Sequence, residues 1–236
     1  MIHHATPNPA HPPAPLPHDP VARLAELRTR LDRAAALAGR PAGSVELLAI
    51  SKTYPVEVIR PLIEAGQCSF GENRVQEAEG KWPALRAEFP DLRLHLVGQL
   101  QSNKAEQAVA LFDAIHSVDR SSLVIALAKA MDAADRRPDC YLQVNIGDEP
   151  QKGGCAIAEL PALLVEARAA ALPIKGLMAV PPLDTEAAPY FALLAKIARD
   201  NGLSGLSMGM SGDYETAAML GATVVRVGSA LFGARA

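Results

Sequence analysis

Lys52 follows the apolar run LLAIS at positions 47–51. At the mouth of a buried strand, burial disfavours the ammonium form, and the amine can then act as a Schiff-base nucleophile. The plain alternative is a lysine whose stem lines an apolar wall while its charge stays in water. Arg226 interrupts the β-branched run TVVRV at 223–227, so its side chain is expected inward. A buried guanidinium needs acceptors, either a ligand atom or a barrel carboxylate. The pairs Ser211-Gly212 and Gly228-Ser229 are small enough to let backbone N–H groups approach an anion, which makes them a phosphate cup or, more simply, tight turns. A Schiff-base lysine beside a phosphate anchor suits either pyridoxal phosphate (PLP) or an aldolase acting on a sugar phosphate. Facing a pyridine nitrogen, Arg226 would keep that nitrogen unprotonated, because two adjacent cationic donors repel.

The elements that carry these residues alternate in type. Short apolar runs read as strands at 47–51, 69–73, 93–99, 113–118, 140–146, 174–180, 206–211 and 223–228. Helical spacing separates them, from Pro55, around Val75 to Phe89, and at 103–111, 121–134, 158–170, 186–200 and 213–220. Pro61 inside the first of these predicts a kink or an early break. Strands apolar on both faces are buried parallel strands. Eight such units predict an α/β fold, a single-domain (β/α)8 TIM barrel. An open doubly wound sheet is the runner-up, but no G-x-G-x-x-G follows the first strand. An extra N-terminal helix at 21–38 is expected to cover the gap beside the last strand. Residues 1–20 hold seven of the 19 prolines and four of the six histidines. They predict a disordered tail, with His3, His4, His11 and His18 fixing no ligand geometry. The barrel is expected to span 21–236.

Function in such a barrel sits at the C-terminal ends of the strands. That places Lys52, Glu72, Asn73, Gly98, Gln99, Asn145, Met178, Met210, Ser211, Gly212, Arg226, Gly228 and Ser229 around one mouth. Glu72 is expected in the ligand shell or as the partner of Lys52 or Arg226. His95 and His116 lie mid-strand and read as hydrogen-bonded structural residues, and the three cysteines as packing residues.

Composition excludes other classes. The 236 residues carry a formal charge of -3, so bulk charge does not hold the chain to nucleic acid or membrane. Aromatics are 4%, thin for base stacking. Three widely spaced cysteines make neither a disulfide framework nor a zinc site. No signal-peptide pattern and no run of roughly 20 apolar residues is present, which predicts a cytoplasmic protein.

The segments LLAISKTYP, FGENRVQEA, HLVGQLQSNK, QVNIGDEPQKGG, GLMAVPP, LSMGMSGDYETA and VVRVGSALFG resemble the pyridoxal phosphate homeostasis protein family, single-domain relatives of the alanine racemase barrel. The resemblance implies a PLP-bearing barrel with the internal aldimine on Lys52. It implies phosphate contacts from Ser211, Gly228 and Ser229, a pyridine-facing Arg226, and further cofactor contacts at Asn73 and Met210. Two positions depart from the pattern: Gln99 stands where proline is usual, and Ser229 where threonine is. The resemblance also implies a PLP carrier in vitamin B6 homeostasis rather than an efficient catalyst, with no metal. A racemase-like PLP enzyme is the alternative. The tyrosine-bearing second domain of alanine racemase is expected to be absent, since the chain ends eight residues after Gly228. The expected state is a monomer, and the expected partners are PLP and apo PLP-dependent enzymes.

Overall fold

A computed structural model of the chain describes residues 19–233. The eight strands are β1 (Glu46–Ile50), β2 (Ser69–Glu72), β3 (Arg93–Leu96), β4 (Ala114–Val118), β5 (Asp139–Gln143), β6 (Ile174–Met178), β7 (Gly205–Met210) and β8 (Val224–Val227). All pair in parallel with their sequence neighbours, and β8 pairs with β1 to close the barrel. Closure leaves no exposed edge strand.

Helices follow the strands as the periodicity predicts. They are α1 (Pro20–Leu37), α2 (Val56–Glu64), α3 (Val75–Glu88), α4 (Ala105–Leu111), α5 (Ser121–Ala134), α6 (Leu160–Ala169), α7 (Ala188–Asp200), α8 (Tyr214–Met219) and α9 (Ser229–Phe232). α1 begins at Pro20, one residue before the expected boundary. Asp19 caps it, its carboxylate accepting from the Ala22 amide at 2.8 Å, and a proline suits the first helical turn. The rest of the expected tail, including its four histidines, lies outside the described residues.

α1 buries Leu24, Leu27 and Leu31 and packs against α8, α9 and α2. It thus covers the β8–β1 seam, where the one-turn α9 is too short to do so. Arg40, just after α1, donates to the Ala218 and Ala222 carbonyls at 2.9 and 2.8 Å and ties this cover to the turn before β8.

The expected break at Pro61 does not occur, and α2 runs through to Glu64. Pro61 withholds only its own N–H bond, and its carbonyl still accepts from Ala65 at 3.0 Å. Ile59, Leu62 and Ile63 are buried, and Gly66 follows the cap with φ +83°.

Two layers of side chains result. The larger lies between the sheet and the helices. The smaller, inside the barrel, joins Leu48, Ile50, Tyr141, Met178 and Val224. Polar residues share that interior: His95, His116, Ser207 and Arg226 are all buried. Among the described residues no helix is long and apolar enough to cross a membrane.

Candidate functional site

The upper mouth holds a cavity of about 440 Å³, of a size that takes small cofactors. Its lining includes Lys52, Asn73, Met210, Ser211, Arg226, Gly228 and Ser229, so all seven expected site residues meet there. Ile50, Val97, Met178 and Val180 add apolar wall.

Lys52 stands on a braced turn after β1. Thr53 next to it adopts a left-handed φ of 68°, uncommon for a β-branched residue, and its amide donates to Glu77. Lys81 on α3 is buried beneath the turn and donates to the Ser51 and Tyr54 carbonyls at 3.0 and 3.2 Å. Its ammonium also meets the Glu72 carboxylate at 2.6 Å. Glu72 therefore pairs with Lys81, a partner the sequence reading did not name, and it accepts further from Ser51 Oγ (2.8 Å) and Trp82 Nε1 (3.0 Å). A buried pair like this is costly to break from one side. Lys81 and Glu77 are supports that strand-end reasoning could not reach. Their i,i+4 spacing on a helix was the only trace in the sequence.

Across the mouth, Ser211 Oγ accepts from the amides of Gly228 (3.2 Å) and Ala230 (3.1 Å). Two backbone donors converge on one oxygen, the arrangement an anionic oxygen requires. Gly209 makes the approach possible: at φ +90° a Cβ there would collide with Ala217, so the chain can swing Met210 and Ser211 over the cavity only with glycine. Asp213 braces the same turn, accepting from the Met210 amide at 2.6 Å. Ala230 went unforeseen because a backbone donor leaves no side-chain signature.

Arg226 enters from β8 and is buried. Its Nη1 donates to Ser207 O (2.6 Å) and Ser207 Oγ (2.8 Å), and Nη2 donates to Ala179 O (2.9 Å). Among the described residues no carboxylate forms an ion pair with it, so the barrel-carboxylate alternative does not apply. Three of its five N–H donors are used in these bonds. Burial lowers the guanidinium to about 10, which leaves it cationic at neutral pH.

Asn73 is seated by Gly98, where any Cβ would run into the Asn73 backbone. Gln99, the departure from the pattern, bridges strands: its amide donates to Gln143 Oε1 at 2.7 Å, and Gln143 donates to Gly153 O at 3.0 Å. A second cavity of about 330 Å³ adjoins the first here and includes Asn145 and Lys152. Lys152 is tied to Glu149 (2.6 Å) and Pro181 O (2.9 Å). Cys140 and Cys155 are buried packing residues, their thiols pushed up to about 12 by burial. Cys68 is exposed, against expectation. Among the described residues no group of side chains could hold a metal ion.

His95 and His116 are buried on the barrel axis, Nδ1 of the first 3.0 Å from Nε2 of the second. His116 also stacks on Tyr141 with ring centroids 4.3 Å apart. Burial lowers the proton affinity of both imidazoles.

These features define a single-domain barrel of the alanine racemase type, with a lysine, an arginine and an anion cradle at its upper mouth. A family model described as "Alanine racemase, N-terminal domain" matches residues 22–236. The pyridoxal phosphate homeostasis protein of Pseudomonas aeruginosa is 42% identical over 220 residues, covering 90% of this chain and 94% of its own. Its namesake in Escherichia coli is 38% identical over 224 residues, covering 90% and 95%. The structure of PipY from Synechococcus elongatus with PLP bound aligns at a TM-score of 0.80 and 39% identity, over 91% of this chain and 100% of that one. Alanine racemase of Clostridium difficile shares the fold at a TM-score of 0.67 and 13% identity, and this chain covers 57% of it. The chain belongs to the pyridoxal phosphate homeostasis protein family.

The histidine pair predicts an acid dependence of stability. Both imidazoles bind protons less readily folded than unfolded, so below the ordinary value of 6.5 the unfolded chain takes up more protons. Stability should therefore hold above about pH 7 and fall as pH drops through 6.5. Urea midpoints between pH 7.5 and 5.5 should decline in the wild type and decline less in His116→Phe. Equal slopes in the two proteins would contradict this.

Proposed function

We propose that this protein binds PLP covalently through Lys52 and holds it as a carrier in vitamin B6 homeostasis, without efficient catalysis. The observation that supports this best is the convergence of Lys52, Arg226 and the Ser211–Gly228–Ala230 cradle on one cavity. The name of the curated relatives and the PLP-bound PipY structure support the same cofactor.

Each residue has a part. Bound PLP supplies an aldehyde and an electron-withdrawing ring. Lys52 would hold the cofactor by its amine, which can condense with an aldehyde, one C=N bond forming as one water leaves, with no change of oxidation state. Ser211 and Ser229 donate their hydroxyls to the phosphate, and the Gly228 and Ala230 amides turn to it from the Ser211 oxygen. Met210 and Asn73 flank the ring with the apolar wall of Val97 and Met178. Arg226 would take the side of the pyridine nitrogen. As a fixed cation it would donate a hydrogen bond without releasing a proton, which would keep that nitrogen neutral and the ring a weak electron sink. That raises the barrier to removing a proton from an amino-acid Cα. On this reading the protein acts as a monomer and hands its PLP to apo PLP-dependent enzymes.

Two outcomes are expected. Pyridoxal lacks the phosphate and forfeits at least two charge-assisted hydrogen bonds of about 1.5 kcal/mol each, so it should bind at least ~100-fold more weakly than PLP in a spectral titration. Equal affinity would remove the cradle from the account. Amino acids added to the PLP-loaded protein should shift its visible spectrum, while deuterium exchange at Cα and chiral product formation stay far below about 1 s⁻¹. Turnover at or above that rate would establish the racemase-like alternative.

A further inference from the structure

The barrel interior spends several positions on polar side chains where apolar ones would pack more cheaply. Such groups persist when they are satisfied as a set. Starting from Arg226 on β8, Nη1 donates to Ser207 Oγ on β7 at 2.8 Å. Ser207 Oγ lies 2.8 Å from His116 Nδ1 on β4. His116 Nε2 lies 3.0 Å from His95 Nδ1 on β3. His95 Nε2 has no hydrogen-bond partner among the described residues, and it faces the Glu46 carboxylate on β1 at 3.9 Å. Glu46 opens its strand, so the series runs from the cofactor cavity to the lower mouth, where Glu46, His95, Arg93, Asp139 and Lys175 line a separate cavity of about 300 Å³.

The hydrogens can be placed by elimination. Arg226 has no acceptor atom, so Ser207 Oγ accepts from it. The Ser207 hydroxyl hydrogen then turns to His116 Nδ1, which must be unprotonated. A neutral His116 carries its hydrogen on Nε2 and donates it to His95 Nδ1. His95 in turn carries its hydrogen on Nε2, facing Glu46. Reversing the order would leave the Ser207 hydroxyl hydrogen with no acceptor and set a nitrogen lone pair against a carboxylate. Every donor therefore points the same way, from the Arg226 cation to the Glu46 anion. Ser69 Oγ holds Glu46 in place from the neighbouring strand.

We propose that Ser207, His116 and His95 are positioning residues for Arg226, forming a one-directional hydrogen-bond relay that ends at His95 Nε2 opposite the Glu46 carboxylate and aims the guanidinium into the cofactor cavity. The proposal rests on the reading of Arg226 as the group facing the pyridine nitrogen. It assigns the lower mouth a part in cofactor binding although nothing there touches the cofactor cavity. Two of the three bonds that hold Arg226 go to backbone carbonyls and survive any side-chain change. The relay thus sets fine orientation rather than whether the arginine is buried.

The test combines imidazole ¹⁵N NMR of the PLP-free protein with PLP titrations followed in the visible spectrum. In the wild type at pH 7.5 both histidines should be neutral, with the hydrogen on Nε2. Ser207→Ala removes one link and keeps both carbonyl contacts. His116→Phe keeps the ring beside Tyr141 but removes both nitrogens. Each should shift the visible band of bound PLP and weaken binding about tenfold, the loss of one hydrogen bond of about 1.4 kcal/mol. Ser207→Thr restores the hydroxyl and should return the band to its wild-type position. Glu46→Gln changes the part-exposed far end, keeps an amide oxygen for Ser69, and should change both the His95 ¹⁵N shifts and the PLP band. Hydrogens found on Nδ1 of both histidines would overturn the relay. So would wild-type affinity and spectrum in Ser207→Ala, His116→Phe and Glu46→Gln together. A wild-type protein that does not bind PLP, with the Nε2 tautomers nonetheless present, would instead overturn the functional reading and with it the role of the relay.

Discussion

A full positive charge sits inside this barrel with no carboxylate ion-paired to it among the described residues, and the arrangement of the upper mouth follows from that constraint. Arg226 is held by two backbone carbonyls and one hydroxyl. Carbonyl dipoles satisfy a guanidinium without neutralising it. Ser207 and Ala179 present those carbonyls because β6, β7 and β8 are consecutive and parallel, with Met210 in register with Arg226. A carboxylate in their place would have cancelled the charge before it reached the cavity. The weak electron sink we propose depends on this difference.

The same economy governs the other two anchors. Lys52 is placed by a turn whose carbonyls are gripped from below by Lys81, itself neutralised by Glu72. The second lysine takes up the buried carboxylate, and Lys52 lines the cavity. At the opposite rim, the Ser211 oxygen occupies two backbone donors that an anionic oxygen could claim. Each anchor is held by a short-range scaffold, and the closed sheet brings the three scaffolds to one mouth.

Much of this was legible in the sequence. The strand ends were readable because each strand is a short apolar run, and a barrel presents the residues that close such runs at one face. That logic reached Lys52, Asn73, Met210, Ser211, Arg226, Gly228 and Ser229, all of which line the cavity. It did not reach Ala230, whose contribution is a backbone N–H. Nor did it reach Ser207, a mid-strand serine that matters only because β7 lies beside β8. For Glu72 the expected roles were the ligand shell or a pairing with Lys52 or Arg226; its pairing with Lys81 was out of reach because Lys81 lies on the outer helix layer and only the tertiary fold brings the two together. The early break expected at Pro61 did not occur, since a proline withholds one N–H bond and leaves its neighbours' bonds in place. His95 and His116 were read correctly as hydrogen-bonded, but the pairing of two histidines across strands carries no periodic pattern.

The central claim is that one lysine, at one strand end, carries the cofactor. Borohydride reduction of the PLP-loaded protein fixes the linkage as a secondary amine, and peptide mass mapping then locates it. The account predicts the pyridoxyl group on Lys52 in the wild type and no stoichiometric label in Lys52→Ala, which should remain folded. A label on Lys81, Lys104 or Lys152 in the wild type, or an undiminished label in Lys52→Ala, would contradict it.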